Sequence, residues 1–355
     1  MIKRTLTLLS LLVLLCNASV LAQKKQARQI VSKLMVEKNI PGISVSVIED
    51  GKLIWSEGFG FADLEQNVKA TPNTKFRIGS LSKLLTAAAL ARLHDKKVIG
   101  LDDSIYKYVP AFPKKKNDIT VRQLAGHLGG IRHYGANEYV VTKRYENVDD
   151  SLKIFQESPL RNVPGTKYSY STYGYTLLSA AIEGASKQDF LTNIQNEVFS
   201  PLSLNSTVAD DNRRIIKNRT HFYSVGSDKE WVNAPYTDNS NRWAGGGFLS
   251  TSEDLVRFAE AHLKDGFLKP ETRRILFTPQ KTSDGKETIA GIAWRIARDD
   301  QGRIFYHHGG SSIGGRAYLL VYPQQKTAIA VLSNLTFARF GINEVSAILK
   351  PFDKE

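Results

Sequence analysis

The chain has 355 residues, of which 42% are hydrophobic and 23% charged, and its formal net charge is +13. That balance gives core enough for one large domain or two ordinary ones and excludes a disordered chain. The positive charge is scattered apart from Lys114-Lys115-Lys116, and no basic stripe interleaved with aromatics accompanies it, so no nucleic-acid partner is expected.

The N-terminus reads as a secretory leader over residues 1–22. Lys3-Arg4 precedes the apolar run from Leu6 to Leu15, and Val20-Leu21-Ala22 offers small residues for cleavage after Ala22. The apolar run is too short for a comfortable bilayer span, so no stable membrane span is expected once it is removed. Localisation is therefore expected to be periplasmic or secreted. Cys16, the only cysteine, falls in the leader, which leaves the remainder without a disulfide, thiolate metal site or cysteine nucleophile. No His-Glu-x-x-His occurs, and His127 and His133 sit in a Gly-rich stretch without nearby acids. No metal and no cofactor are expected.

After the leader, Ala27 to Lys38 has the spacing of an amphipathic helix, stopped by Pro41-Gly42. Ile43 to Ile48 alternates apolar and polar residues, and Asp50-Gly51 separates it from Lys52 to Ser56, which predicts a β-hairpin. A long apolar helix follows from Ser80 to near Lys97. Residues 100–244 are rich in loops, with helices predicted near Thr120–Leu128, Asp150–Glu157, Tyr173–Ser186 and Asp189–Phe199. Thr251-Ser252-Glu253-Asp254 caps another helix. Strands are then predicted at Ile292–Ile296, Arg303–His307, Tyr318–Tyr322 and Ala328–Leu332, with a closing helix from Asn343. An early hairpin and late strands predict an α/β fold of the α+β type. One antiparallel sheet is built from both chain ends (about 27–99 and 245–350), around a helical insertion at about 100–244.

Ser80-Leu81-Ser82-Lys83 opens the apolar helix. Residues three apart share a helix face, so the Lys83 amine can reach the Ser80 hydroxyl, and a desolvated lysine can serve as its base. The bland alternative is a helix cap with a solvated lysine. Ser-x-x-Lys also occurs at Ser104 and Ser283, in a loop-like and a turn setting. Tyr170, in Tyr170-Ser171-Thr172, follows a Pro-Gly turn and precedes a helix. Beside a lysine ammonium its phenol would ionise more easily and share the base role. His308-Gly309-Gly310-Ser311 lies between strand-like runs, where glycines let a substrate approach a sheet edge.

Ser-x-x-Lys, Tyr-Ser-Thr and His-x-Gly, in that order, resemble the penicillin-recognising serine hydrolases of the class C β-lactamase-like, peptidase S12 type. The similarity is strongest to the branch known from mitochondria, and spans about residues 27–350. It is carried also by Ile40-Pro41-Gly42-Ile43-Ser44, Gly130-Ile131-Arg132-His133-Tyr134 and Trp243-Ala244-Gly245-Gly246-Gly247. The resemblance implies Ser80 as acylated nucleophile, Lys83 as its base and Tyr170 as proton shuttle. It implies oxyanion donors at the N–H groups of Ser80 and Ser311, and a substrate wall from His308, Gly310 and Thr172. Helices on both faces of the sheet and a helical subdomain follow from it. The implied activity is hydrolysis of a small peptide or amide, with an ester second. The alternative is a penicillin-binding-type sensor or filament-forming protein with little turnover, and the resemblance admits a homo-oligomer. Thr172 departs from the family pattern, which has Asn there. Tyr145-Glu146-Asn147 supplies that pattern only by chance.

Overall fold

The computed structural model describes the backbone from Ile2 to Asp353 and the side chains from Val20 to Asp353. All of the predicted leader but its last three residues thus lies outside the described side chains. The first helix, α1 (Ile2–Glu37), begins well before the predicted Ala27, because no Gly or Pro interrupts the run up to Glu37. Among the described residues no helix is long and apolar enough to cross a membrane.

The centre is a seven-stranded sheet. Its strands are β1 (Gly42–Glu49), β2 (Lys52–Asp63), β3 (Val68–Lys69), β4 (Arg295–Arg298), β5 (Ile304–Ser312), β6 (Gly315–Tyr322) and β7 (Thr327–Ser333). They lie in the order β3-β2-β1-β7-β6-β5-β4, all antiparallel. The two chain ends meet where β1 pairs with β7, with Val45 opposite Val331. Asp50 and Gly51 both take positive φ, 45° and 80°, as a two-residue turn between right-twisted strands requires.

Both faces of this sheet are covered, so strand alternation sorts residues between two cores rather than between core and water. Val45, Val47, Leu320, Ile329 and Val331 face α1 and α5 (Ile342–Leu349), while Leu319, Val321, Ala328 and Ala330 join the larger core. The polar half of β1 is buried too. Ser44 and Ser46 each share a 2.7 Å hydrogen bond with Ser252, at the start of α4 (Ser252–Ala261). That satisfies hydroxyls that would otherwise be costly to bury.

The larger core is organised by α2 (Ser82–Asp95), apolar almost all round and therefore enclosed on every side, and by α3 (Thr172–Ser186). Shorter helices at Val121–Ala125, Val148–Leu152 and Phe190–Ile194 pack around them. Strand β2 runs on to Asp63 rather than stopping at the predicted Ser56, and two of the late strands also differ from the sequence reading. The first run forms a strand only at Arg295–Arg298, because Ala293 takes a left-handed φ of 64° and breaks it. The next continues five residues past the predicted His307, through Ser312, so that His308-Gly309-Gly310-Ser311 belongs to the strand itself. Asn147 caps the Val148–Leu152 helix by accepting from Asp150 N at 2.8 Å, which accounts for the chance motif.

Candidate active site

The three Ser-x-x-Lys copies separate by environment. Ser104 caps a 3₁₀ turn by accepting from Tyr106 N, and Lys107 pairs with Asp103. Lys286 pairs with Asp284 in an exposed turn. Ser80 sits in a 3₁₀ turn, Gly79–Leu81, that feeds directly into α2, and it caps neither element. Lys83 is fully buried. The solvated-lysine alternative is therefore overturned.

The Lys83 amine has three oxygen neighbours: Gly245 O at 2.6 Å, Thr172 Oγ1 at 3.0 Å and Ser80 Oγ at 3.3 Å. A carbonyl can only accept, so one N–H is committed to Gly245. With a second donated to Thr172, the lone pair of a neutral amine faces the Ser80 hydroxyl. Burial, reinforced by the charges of Arg295 and Arg242, holds the Lys83 pKa well below its usual 10.5.

Tyr170 arrives from the loop before α3. The Ser171 hydroxyl caps that helix by accepting from Gly174 N at 2.8 Å, and Ser171 N donates to His127 Nδ1 at 3.2 Å. The Tyr170 ring packs against His127 with centroids 4.4 Å apart, and Lys83 Nζ lies 4.8 Å from its centre. The Ser80 hydroxyl is close enough to the Tyr170 phenol to favour ionisation, against the larger effect of burial. The sequence reading, that a lysine ammonium eases ionisation of this phenol, is corrected by the structure. Burial pushes the Tyr170 pKa up, and the same burial pushes the lysine towards neutrality.

The opposite wall is the free edge of β5. Strand β4 pairs with β5 only as far as His307, so Gly309 to Ser312 are left facing the Ser80 turn. The approach is close. A Cβ on Gly310 would lie 1.9 Å from Ile78 O and 3.1 Å from Ser80 N, and one on Gly79 would lie 2.7 Å from Ser311 N. Two glycines thus bring the backbones of Ser80 and Ser311 side by side. The Ser311 hydroxyl is occupied by Arg316 Nη1 at 2.8 Å. His308 is buried, and its Nδ1 donates to Gly309 O at 2.8 Å. Burial, with the charges of Arg295 and Lys83, pushes its pKa well below 6.5, so it is a neutral imidazole.

Ser80, Tyr170, Thr172, His308 and Ser311 line one cavity of about 250 Å³, and Gly310, in the same strand as His308 and Ser311, presses against the Ser80 turn. Three participants escaped sequence reasoning. Gly245 was visible only as part of a Gly-rich run, since a carbonyl has no residue-type signature. Arg295 stood as a lone charge in an apolar strand, a signal that could have been read. Arg242 had no signal; it is 6% exposed and donates only to neutral acceptors, among them Tyr139 O and Glu138 O.

A partly exposed serine, a buried amine three residues on and a glycine-flanked sheet edge, under an antiparallel sheet with helices on both faces, define a serine hydrolase of the β-lactamase type. The chain belongs to the Beta-lactamase family, whose model matches residues 27–347. It is 32% identical to the mouse (Mus musculus) serine beta-lactamase-like protein LACTB, mitochondrial, over 86% of this chain and 74% of that protein. Its fold matches that of the octameric penicillin-binding protein homologue from Pyrococcus abyssi with a TM-score of 0.79. That alignment has 24% identity and covers 92% of this chain and 76% of the other. A class C beta-lactamase mutant matches with a TM-score of 0.76 at 19% identity, covering 93% and 97%. These two likenesses concern the fold alone.

Proposed function

We propose that the chain is an exported serine hydrolase that forms an acyl-enzyme at Ser80 and cleaves a peptide or amide bond, with esters as the second substrate class. The observation that carries this reading is the Lys83 amine: fully buried, 3.3 Å from Ser80 Oγ, and held in place by Gly245 O at 2.6 Å and Thr172 Oγ1 at 3.0 Å.

In the proposed reaction Ser80 Oγ attacks the carbonyl carbon as its proton passes to Lys83 Nζ. The oxyanion forms between the N–H groups of Ser80 and Ser311, donors of a kind worth about 10²–10³ in rate each. Tyr170, protonated and lining the same cavity as Ser80, delivers a proton to the departing nitrogen and is reprotonated by Lys83, which holds the proton taken from Ser80. Water then enters by the reverse route, its proton taken by the Tyr170–Lys83 pair as it attacks the ester. His308, neutral, lines the substrate side. Thr172 acts here chiefly on Lys83, which makes Thr for Asn a tolerable departure from the family pattern.

A fluorophosphonate probe tests the reading. Labelling at Ser80, loss of label in Ser80→Ala and turnover of a peptide or ester panel are expected. Turnover retained in Ser80→Ala would overturn the assignment, and stoichiometric labelling without turnover would favour a sensor. Export is tested by mass spectrometry of the chain expressed from its first residue. A mature N-terminus at Gln23 outside the cytoplasm supports it, and an intact Met1 inside the cell refutes it.

A further inference from the structure

The mouth of the cavity is framed by two aromatic side chains from separate loops. Tyr139 comes from the segment after Tyr134, and Phe337 from the connection between β7 and α5. Their rings meet edge to face with centroids 6.0 Å apart. Neither serves the fold by burial: Tyr139 is 42% exposed and Phe337 46%. Phe337 also holds a left-handed backbone, φ 50°, which is unfavourable for a bulky residue.

Both positions are held from outside the pair. Next to Phe337, Thr336 Oγ1 accepts from Gly314 N at 2.7 Å and donates to Tyr223 O at 2.9 Å, while Arg316 binds Phe340 O. Arg242 donates to the carbonyls of both Tyr139 and Glu138, and the Glu138 carboxylate is gripped by Arg132. The Tyr134 ring continues the surface inward, 4.9 Å from Tyr139. Strain maintained by surrounding contacts, on an exposed apolar ring beside a reactive serine, signals use rather than packing.

We infer that Tyr139 and Phe337 form an aromatic clamp that selects substrates carrying a flat apolar group next to the scissile bond. This rests on the proposed hydrolase reading for its catalytic consequence but not for binding. A ring entering the mouth gains edge-to-face and stacking contacts with side chains already fixed, so little ordering is lost on binding. An alkyl group of the same reach gains less.

The test compares phenylacetyl with acetyl substrates of a common leaving group. It is paired with equilibrium binding of phenylacetamide and acetamide to Ser80→Ala, which needs no turnover. A preference for the aromatic member of about tenfold is expected in both assays, and its loss in Tyr139→Ala and Phe337→Asn. Asn tolerates a left-handed φ, so Phe337→Asn should raise the melting temperature while erasing the preference, a combination that a structural role does not produce. Absent turnover with the binding preference intact would sink the hydrolase reading and leave the clamp. No binding preference, or one that survives in both variants, overturns the clamp.

Discussion

Arg77 Nε donates to Asp210 Oδ2 at 2.6 Å, in an ion pair whose side chains are almost wholly buried. The same guanidinium donates to Ile313 O and Thr237 O and lies over the Phe222 ring. Asp210 also takes Arg219 Nη1 and Asn239 Nδ2. One buried pair therefore ties the strand that leads to Ser80 to the turn just beyond Ser311, and both to the segment that leads to Gly245.

Arg77→Met removes the closest partner of a buried carboxylate and leaves it only Arg219 and Asn239, so it should cost up to about 3–5 kcal/mol. Replacing both, in Arg77→Met with Asp210→Leu, should recover much of that loss. Chemical denaturation of the three proteins checks this. A double variant no more stable than the single one would show that the pair's worth lies in its other hydrogen bonds.

Lys83 links activity to stability in opposite senses. Its folded pKa lies below the unfolded value, so between the two the unfolded chain binds the extra proton and stability rises with pH. Lys83→Met should be more stable than the parent near neutral pH, and its advantage should shrink as pH approaches 10.5. The same change should lower the rate of Ser80 phosphonylation by about 10²–10⁴. Thermal melts between pH 6 and 10, beside probe-labelling rates, report both. A variant less stable at every pH would contradict a desolvated amine.

Gly310 is the position where backbone proximity leaves no latitude. Gly310→Ala places a methyl 1.9 Å from Ile78 O, a rigid backbone atom, so the edge strand must retreat from the Ser80 turn. Overpacking of this kind costs about 1–3 kcal/mol, and a separated oxyanion pair about 10²–10³ in rate. Stability and labelling rate measured on one preparation test this, and a fully active Gly310→Ala protein would remove Ser311 N–H from the proposed reaction.

Residue type and spacing carried the sheet, because hairpin chemistry at Asp50-Gly51, alternation along β1 and the short apolar run in β6 are local signals. They also carried the pair at the heart of the proposed reaction, because Ser80 and Lys83 lie three residues apart. What lay beyond them depends on tertiary approach. The Gly245 carbonyl that fixes the amine is 162 residues from Lys83 in sequence. The protonation of Tyr170 was misread because burial, invisible along the chain, outweighs the neighbouring charge. The predicted run stops at His307 because Gly309 and Gly310 carry no strand propensity, although their smallness serves a strand pressed against the Ser80 turn.

Glu183 gives a pH signature away from the active site. Burial, with Asp149 and Asp189 nearby, pushes its pKa up to about 7, although it accepts from Phe190 N at 2.8 Å. For a carboxyl raised in the folded state, the folded chain holds the extra proton between about 4.5 and 7. Stability from this group is therefore full below that window and falls as pH rises through it. Glu183→Gln keeps the acceptor oxygen without the charge. It should match the parent at pH 4 and exceed it at pH 8 by roughly 1–2 kcal/mol, a figure discounted for partial exposure. Urea unfolding at the two pH values decides the matter: equal differences at both would mean that Glu183 is not the titrating group.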